Sequence, residues 1–112
     1  MLMFQWDTAN SSHIIDQHPL RYNTLEEVES LFTDPNFRPL ADWVDGRGEQ
    51  QYNGVALSNQ NRLLFVAYSI RNGHIRPISC RPASRKERTR YAQIVEKLQQ
   101  EQNTDTEEGS RD

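Results

Sequence analysis

The segment from Arg62 to Ile70 constrains the fold more than any other part of the chain. Its apolar side chains fall on both faces of an extended strand, with Leu63 and Phe65 on one face and Leu64 and Val66 on the other. A strand that is apolar on both faces is usually covered on both sides. We therefore predict that this strand lies in the interior of a sheet.

The residues after this strand predict an antiparallel hairpin. Arg71-Asn72-Gly73 supplies the positive-φ residues of a tight turn, and residues 74–81 are predicted to return beside the first strand. Pro77 has no amide hydrogen to donate to a sheet. We therefore expect the returning strand to lie at an edge or to contain a bulge.

A basic helix is predicted to follow the hairpin. Pro82 ends the strand, and Ser84 with Glu87 forms a capping-box pattern at the start of a helix from about Arg85 to Gln100. Two interpretations of its basic first turns stay open: a seat for a phosphate at the helix N-terminus, and a solvated helix face. The predicted apolar stripe of the helix is Tyr91, Ile94, Val95 and Leu98.

The first half of the chain predicts a strand at residues 2–6, a helix at 8–17 and a second helix after the capping residue Thr24. The second helix ends at Asp34-Pro35, and a further strand covers 49–57. Two interpretations of residues 37–48 stay open: an irregular segment, and an irregular strand formed by Phe37, Leu40, Trp43 and Val44. The predicted fold is α+β, a small antiparallel sheet packed by helices in the order β-α-α-β-β-β-α. Trp6, Trp43 and Tyr91 are expected in the core.

Charge is distributed unevenly along the 112 residues. Residues 1–49 carry nine acids and three bases, residues 50–95 one acid and eight bases, and residues 96–112 six acids and two bases. A net charge of -3 therefore does not exclude a basic surface that binds RNA. We predict a single domain over residues 1–100 and a disordered acidic tail over 101–112, which either solvates or folds back over the basic surface.

Composition narrows the compartment and the chemistry. The single Cys80 has no partner for an internal disulfide, and the start MLMFQWD turns polar too early for a signal peptide, so we expect a cytoplasmic protein. The longest apolar run, Leu63 to Tyr68, is far shorter than the roughly 20 residues of a membrane helix. The three histidines lack metal-ligand spacing, and we expect neither a metal nor another cofactor.

The candidate chemistry is phosphate recognition by arginines. Guanidinium groups stay charged and bind two oxygens at once, which suits RNA binding and stabilisation of a phosphoryl-transfer transition state. Arg76 and Arg81 are five residues apart, so a regular strand places them on opposite faces and only a bulge near Pro77 brings them together. His18 is the general acid–base candidate. Glu49 either takes a proton or orients an arginine.

The stretch 75–91 also resembles the C-terminal signature of BrnT-type toxins, the ribonuclease components of bacterial toxin–antitoxin pairs. The matching positions are Ile75, Arg76, Ile78, Ser79, Arg81, Ala83, Glu87, Arg88 and Tyr91. Earlier matches are Phe4-x-Trp6-Asp7, His18, Leu25-Glu26-Glu27, Phe32-x-Asp34-Pro35, Gly48-Glu49 and Arg62 to Val66. The resemblance covers about residues 4–91.

The resemblance implies a RelE-like fold, metal-independent cleavage of RNA that inhibits translation, and neutralisation by a cognate antitoxin. Cleavage would proceed by attack of the RNA 2′-hydroxyl on the neighbouring phosphate. The implied catalytic residues are His18, Glu49 and Arg81, and the implied RNA-binding residues are Arg62, Arg76 and Arg88. Arg85 is not matched by the resemblance and is added to the RNA-binding candidates as a cation of the basic first helical turn. The expected assembly is either a homodimer or a toxin–antitoxin hetero-oligomer.

Two departures from the family pattern support an alternative. Gln17 and Gln51 stand where the family usually has basic residues, beside His18 and Glu49. Losing both cations would weaken phosphate binding and charge stabilisation. The alternative is a catalytically weakened family member that acts as an RNA- or protein-binding module.

Overall fold

The computed structural model describes residues 2–16 and 23–111, with side chains as far as Glu101. Gln17 and His18 lie outside the described residues. The helices are α1 (Thr8–Asp16), α2 (Leu25–Ser30), which continues into a 3₁₀ turn (Leu31–Thr33), and α3 (Arg85–Arg111). The strands are β1 (Leu40–Val44), β2 (Gln50–Leu57), β3 (Leu63–Arg71) and β4 (His74–Pro82).

The four strands form one antiparallel sheet in the order β1-β2-β3-β4, which confirms the predicted α+β class. The predicted hairpin is present, with Asn72 at φ 53° and Gly73 at φ 76° in its turn. Strand β3 pairs with neighbours on both sides, as its two apolar faces predict. The N-terminal segment forms a single parallel bridge, from Phe4 to Ile75, where a short strand is predicted.

Strand β4 has both of the features that Pro77 predicts. It is an edge strand, and its register with β3 shifts between Ala67 and Tyr68, which face Ser79 and Pro77. Ile78 is therefore an extra residue in β4, as in a β-bulge. Because of this shift Arg76 pairs with Ser69 and Arg81 with Phe65, so the two arginines project from the same face of the sheet.

The N-terminal half of the chain closes the outer edge of β4. The amide of Gln5 donates to Ile75 O and the amide of Ile75 donates to Met3 O, both at 2.8 Å. Farther along the strand, Asn10 Nδ2 donates to Pro77 O at 3.0 Å and Asn23 Nδ2 to Cys80 O at 2.8 Å. These contacts satisfy edge groups that would otherwise be available to pair with another strand.

Two hydrophobic clusters lie on opposite faces of the sheet. The first is packed by α1 and α2 and consists of Ile14, Val28, Leu31, Ala56, Leu64, Val66 and Cys80. The second joins the start of α3 to the opposite face and consists of Val55, Ala83 and Tyr91, with Leu63, Phe65 and Val95 packed against them. The core position predicted for Tyr91 is confirmed, and Trp6 is partly buried against the first cluster.

For the segment at residues 37–48, the interpretation as an irregular strand is the correct one: it contains β1, an edge strand in which all five residues are exposed and whose register with β2 shifts between Ala41 and Val44. The core position predicted for Trp43 is wrong, because its side chain is 55% exposed on this strand. The last helix is predicted to end near Gln100, whereas the backbone of α3 continues to Arg111. The division into a domain and an acidic tail stays a prediction.

Candidate nucleic-acid interface

One face of the sheet changes from apolar to polar along its length. Helix α3 packs on the end that carries Val55, Leu63 and Phe65. Cross-strand pairing places Gln51 opposite Ser69, Ser69 opposite Arg76, and Asn53 opposite Ala67, which faces Ser79. We call the polar half of this face, with its flanking charged residues, the polar sheet face: Glu49, Gln51, Asn53, Ser69, Arg71, Arg76, Ser79 and Arg81.

Arg81 lies at the boundary between the polar sheet face and α3. Its Cζ is 4.2 Å from the ring centroid of Phe65, and its Nη1 and Nη2 donate to the Glu87 carboxylate at 2.8 and 2.9 Å. The Glu87 hydrogen bond raises the pKa of Arg81, so the guanidinium stays charged. Glu87 also accepts from the Ser84 amide at 2.8 Å while Ser84 Oγ accepts from the Glu87 amide at 3.3 Å, which confirms the predicted capping box.

Arg76 is held at the outer edge of the same face. Its Nη1 and Nη2 donate to the two carboxylate oxygens of Asp7 at 2.7 and 3.3 Å. Its side chain is 12% exposed, against 49% for Asp7. The Arg76 hydrogen bond, followed by that of the Asn10 amide, lowers the pKa of the Asp7 carboxyl.

Glu49 pairs with Arg71, a residue that sequence reasoning missed. Arg71 Nε and Nη2 donate to Glu49 at 3.2 and 3.4 Å. The Ser69 hydroxyl first and the Arg71 guanidinium second lower the pKa of Glu49. Ser69 is fully buried, and its Oγ lies near this carboxylate without the geometry of a hydrogen bond. Sequence reasoning assigned Arg71 to the turn, although its alternation with Ser69 places it on the same face.

Arg62 lies apart from these arginines, at the opposite side of the sheet where α2 packs. Its Nη2 and Nε donate to the Glu27 carboxylate at 2.6 and 2.8 Å. Ser58 Oγ also donates to Glu27, at 2.6 Å. The buried Glu27 carboxylate of α2 therefore holds Arg62 apart from Arg76 and Arg81, and its predicted role in RNA binding stays a prediction.

The helical arginines differ from the strand arginines in their partners. Arg85 and Arg88 are exposed in the first turns of α3, and neither forms an ion pair with any described side chain. Arg88 Nε donates to Ala83 O at 3.2 Å. The structure thus has two kinds of cation: sheet arginines held by carboxylates, and arginines in the first turns of α3 that are exposed to solvent.

A comparison with protein-family models identifies the family. Residues 6–87 match the model of the BrnT ribonuclease toxin of type II toxin–antitoxin systems. The chain belongs to this family. The BrnT match spans the whole sheet and the capping box of α3, and it confirms the resemblance carried by the sequence motifs. No curated protein matches the chain in sequence.

Membership of the BrnT family supports an endoribonuclease of a type II toxin–antitoxin system, with RNA as substrate and an antitoxin as partner. His18, the candidate for the general acid–base residue, lies outside the described residues, so its position relative to Arg81 stays a prediction. Within residues 2–16 and 23–101, no group of three histidine, cysteine or carboxylate side chains is placed to hold a metal ion. The described helices include none with the length and apolar character needed to span a membrane.

Proposed function

We propose that this protein is a cytoplasmic toxin that inhibits translation by cutting RNA without a metal ion, and that a cognate antitoxin neutralises it. The observation that carries the proposal is the polar sheet face of a BrnT-family chain, on which Glu49, Arg76 and Arg81 project from the same side. We further propose that residues 1–100 form the toxin domain and 101–112 a separate acidic tail.

The arrangement of the charges supports a division of tasks among these residues. Arg76 pairs with Ser69, and Arg81 with Phe65 four positions away on β3, so their backbones are about 13 Å apart along the sheet. This spacing suits contacts to different groups of an RNA strand better than two contacts to one phosphate. In the proposal, Arg81 stabilises charge at the reacting phosphate, and Arg76, Arg85 and Arg88 hold the flanking backbone.

Glu49 fits the role of an orienting residue better than that of a base. A general base works best when its pKa is near the operating pH. The pKa of Glu49 is lowered by Ser69 and Arg71, so this carboxylate is a weak proton acceptor at neutral pH. In the proposal Glu49 therefore aims Arg71 at the substrate, and His18 moves the protons of the 2′-hydroxyl attack.

Expression without a partner tests the toxin, and purified protein tests the chemistry. We expect expression to arrest the growth of a bacterial host and Arg81→Ala to relieve this arrest. We also expect the purified protein to cleave single-stranded RNA, and the cleavage to persist in excess chelator. Lys86→Ala is the matched control, because Lys86 is an exposed cation of α3 outside the proposed site. No arrest at any expression level together with intact RNA would contradict the proposal.

Gln51 favours a second candidate, a family member that binds RNA or protein without cutting. Its partner across β2 and β3 is Ser69, so this departure from the basic residue usual in the family falls within the polar sheet face. A binding-only protein predicts salt-sensitive RNA binding with the RNA intact after long incubation. Restoration of cleavage by Gln51→Arg would support this candidate, and cleavage by the unaltered protein would exclude it.

A further inference from the structure

A groove runs between β1 and α3 and ends at the residues that hold Arg81. One part is a cavity of about 60 Å³, and the other is an open cleft of about 300 Å³. Arg38 and Ile94 line both parts, so the two form one groove. We call it the β1–α3 groove. Its lining residues from α3 are Glu87, Arg90, Tyr91, Ile94, Lys97, Leu98 and Glu101, and from the sheet they include Leu40, Val55 and Phe65.

The floor of the groove is apolar and its rim is basic. Leu40 is 46% exposed, and Ile94 and Leu98 are half-buried. The rim cations are Arg38, Arg90 and Lys97, and none of them forms an ion pair with a described side chain. Of the two lining carboxylates, Glu87 is already bound to Arg81, so Glu101 alone opposes three cations.

The apolar floor and the basic rim together indicate what kind of ligand the groove would bind. The exposed apolar floor favours a ligand with apolar side chains. The rim cations lack carboxylate partners among the described residues, although Arg38 Nη1 donates to Pro35 O and Phe37 O, so the rim favours carboxylates on the ligand. The chain's own residues 102–112, QNTDTEEGSRD, supply carboxylates but no apolar side chain. The backbone of residues 102–111 also continues α3 past Glu101, the last lining residue, and does not turn back across the groove. The tail is therefore a poor occupant, and so is the same tail of a second copy.

We infer that the β1–α3 groove binds an acidic amphipathic segment of a partner protein. The partner is the antitoxin if the proposed function is correct, and the inference depends on that proposal for the partner's identity. Phe65 and Glu87 line the groove and also contact Arg81. A segment seated in the groove would thus cover both groups that position Arg81, which connects partner binding to loss of RNA cleavage.

A synthetic peptide tests the groove directly on the full chain. The lining residues of α3 run from Glu87 to Glu101, 15 residues that cover about 21 Å of helix. The probe is a fluorescent 16-residue peptide (about four helical turns) with leucines on one face and glutamates elsewhere. Its comparators are a scrambled peptide and one with lysine for glutamate. We expect the probe to bind at least about tenfold more tightly than either comparator. Its affinity should fall as the salt concentration rises.

Paired charge reversals locate the binding. Arg90→Glu with Lys97→Glu is expected to weaken probe binding by about tenfold or more, and Leu98→Asp to weaken it similarly. The matched control is Arg47→Glu with Lys86→Glu, which makes the same charge change at exposed positions outside the groove. Thermal melts of all the variants confirm folding. An equal loss in the control, or no preference for the probe over its comparators, would overturn the inference.

Two further measurements separate this inference from the proposed function. If RNA cleavage is intact while the probe fails to bind, the groove inference is overturned and the ribonuclease proposal stands. If the probe binds but RNA is never cut, the ribonuclease proposal is overturned and the groove inference stands. A single-stranded RNA that binds the unaltered protein, but not the Arg90→Glu, Lys97→Glu variant, would assign the groove to nucleic acid and overturn the inference.

Discussion

Arg62 and Glu27 are joined by two hydrogen bonds of 2.6 and 2.8 Å, although they are 35 residues apart in the chain. The Glu27 side chain is 5% exposed and that of Arg62 31% exposed. The Arg62 hydrogen bond lowers the pKa of Glu27 against the opposing effect of burial. This pair connects the start of β3 to α2. We therefore assign Arg62 mainly a structural role.

We therefore predict that Arg62→Ala lowers stability more than RNA affinity. Breaking a fully buried pair costs about 3–5 kcal/mol, and because Arg62 is partly hydrated we expect a loss of about 2 kcal/mol in the free energy of unfolding. Urea denaturation measures this loss. RNA affinity is compared under conditions where both proteins are folded. A large fall in affinity with unchanged stability would make Arg62 a direct RNA contact.

Asp7→Asn is predicted to increase RNA binding by releasing Arg76. Asp7 competes with a phosphate for this guanidinium, whereas an asparagine removes the negative charge and still caps α1. Because exposed ion pairs are weak, we expect RNA affinity to rise only about two- to fivefold at low salt. Fluorescence anisotropy measures this affinity. The double variant Asp7→Asn, Arg76→Gln should lose the gain. A gain that persists in it would mean that Arg76 is not the cation involved.

Tyr91 predicts a loss of stability in alkaline solution. Burial first, and the hydrogen bond to Asp34 second, raise the pKa of Tyr91 to about 12. Because this pKa is above the unfolded value of about 10, the neutral phenol stabilises the folded chain fully below about pH 10. That contribution is lost as the pH rises towards 12. Unfolding free energies across this range should fall more steeply for the unaltered protein than for Tyr91→Phe, with Tyr52→Phe as control.

Gly54 is predicted to be the glycine least tolerant of a side chain. A Cβ there would lie 2.6 Å from the Phe37 ring and 3.1 Å from Pro39 Cα, while at Gly46 it would meet nothing within 4 Å. Gly54→Ala should therefore lower the free energy of unfolding by about 1–3 kcal/mol through overpacking. Gly46→Ala should leave it nearly unchanged. Equal melting temperatures for the two variants would contradict the packing of Phe37 on β2.

Much of the fold could be predicted from local sequence patterns. The apolar faces of β3, the Asn72-Gly73 turn and the Ser84–Glu87 capping box depend on residues close together in the chain, and all three are confirmed. Pro77 predicted an edge position or a bulge, and both occur. Strand β1 was predicted only as one possibility for an irregular segment, and Trp43 was misplaced, because the pairing of β1 with β2 depends on contacts that no local pattern encodes.

The candidate site was predictable only in part. The motifs identified Glu49, Arg76 and Arg81, and the bulge that brings the two arginines to one face was anticipated as a condition. The carboxylate partners were not predicted. Asp7 is 69 positions from Arg76, and Glu27 is 35 from Arg62, so these pairs exist only once distant segments have met.

The sequence by itself determined the elements, the family and the residue types available for phosphate chemistry, because those follow from periodicity, capping and short motifs. Only the tertiary structure decided which cations remain open to solvent. Ion pairs depend on distances of a few ångströms between segments remote in sequence. Those distances hold Arg62, Arg71, Arg76 and Arg81 to carboxylates, whereas Arg38 and the cations of α3 between Arg85 and Lys97 are exposed.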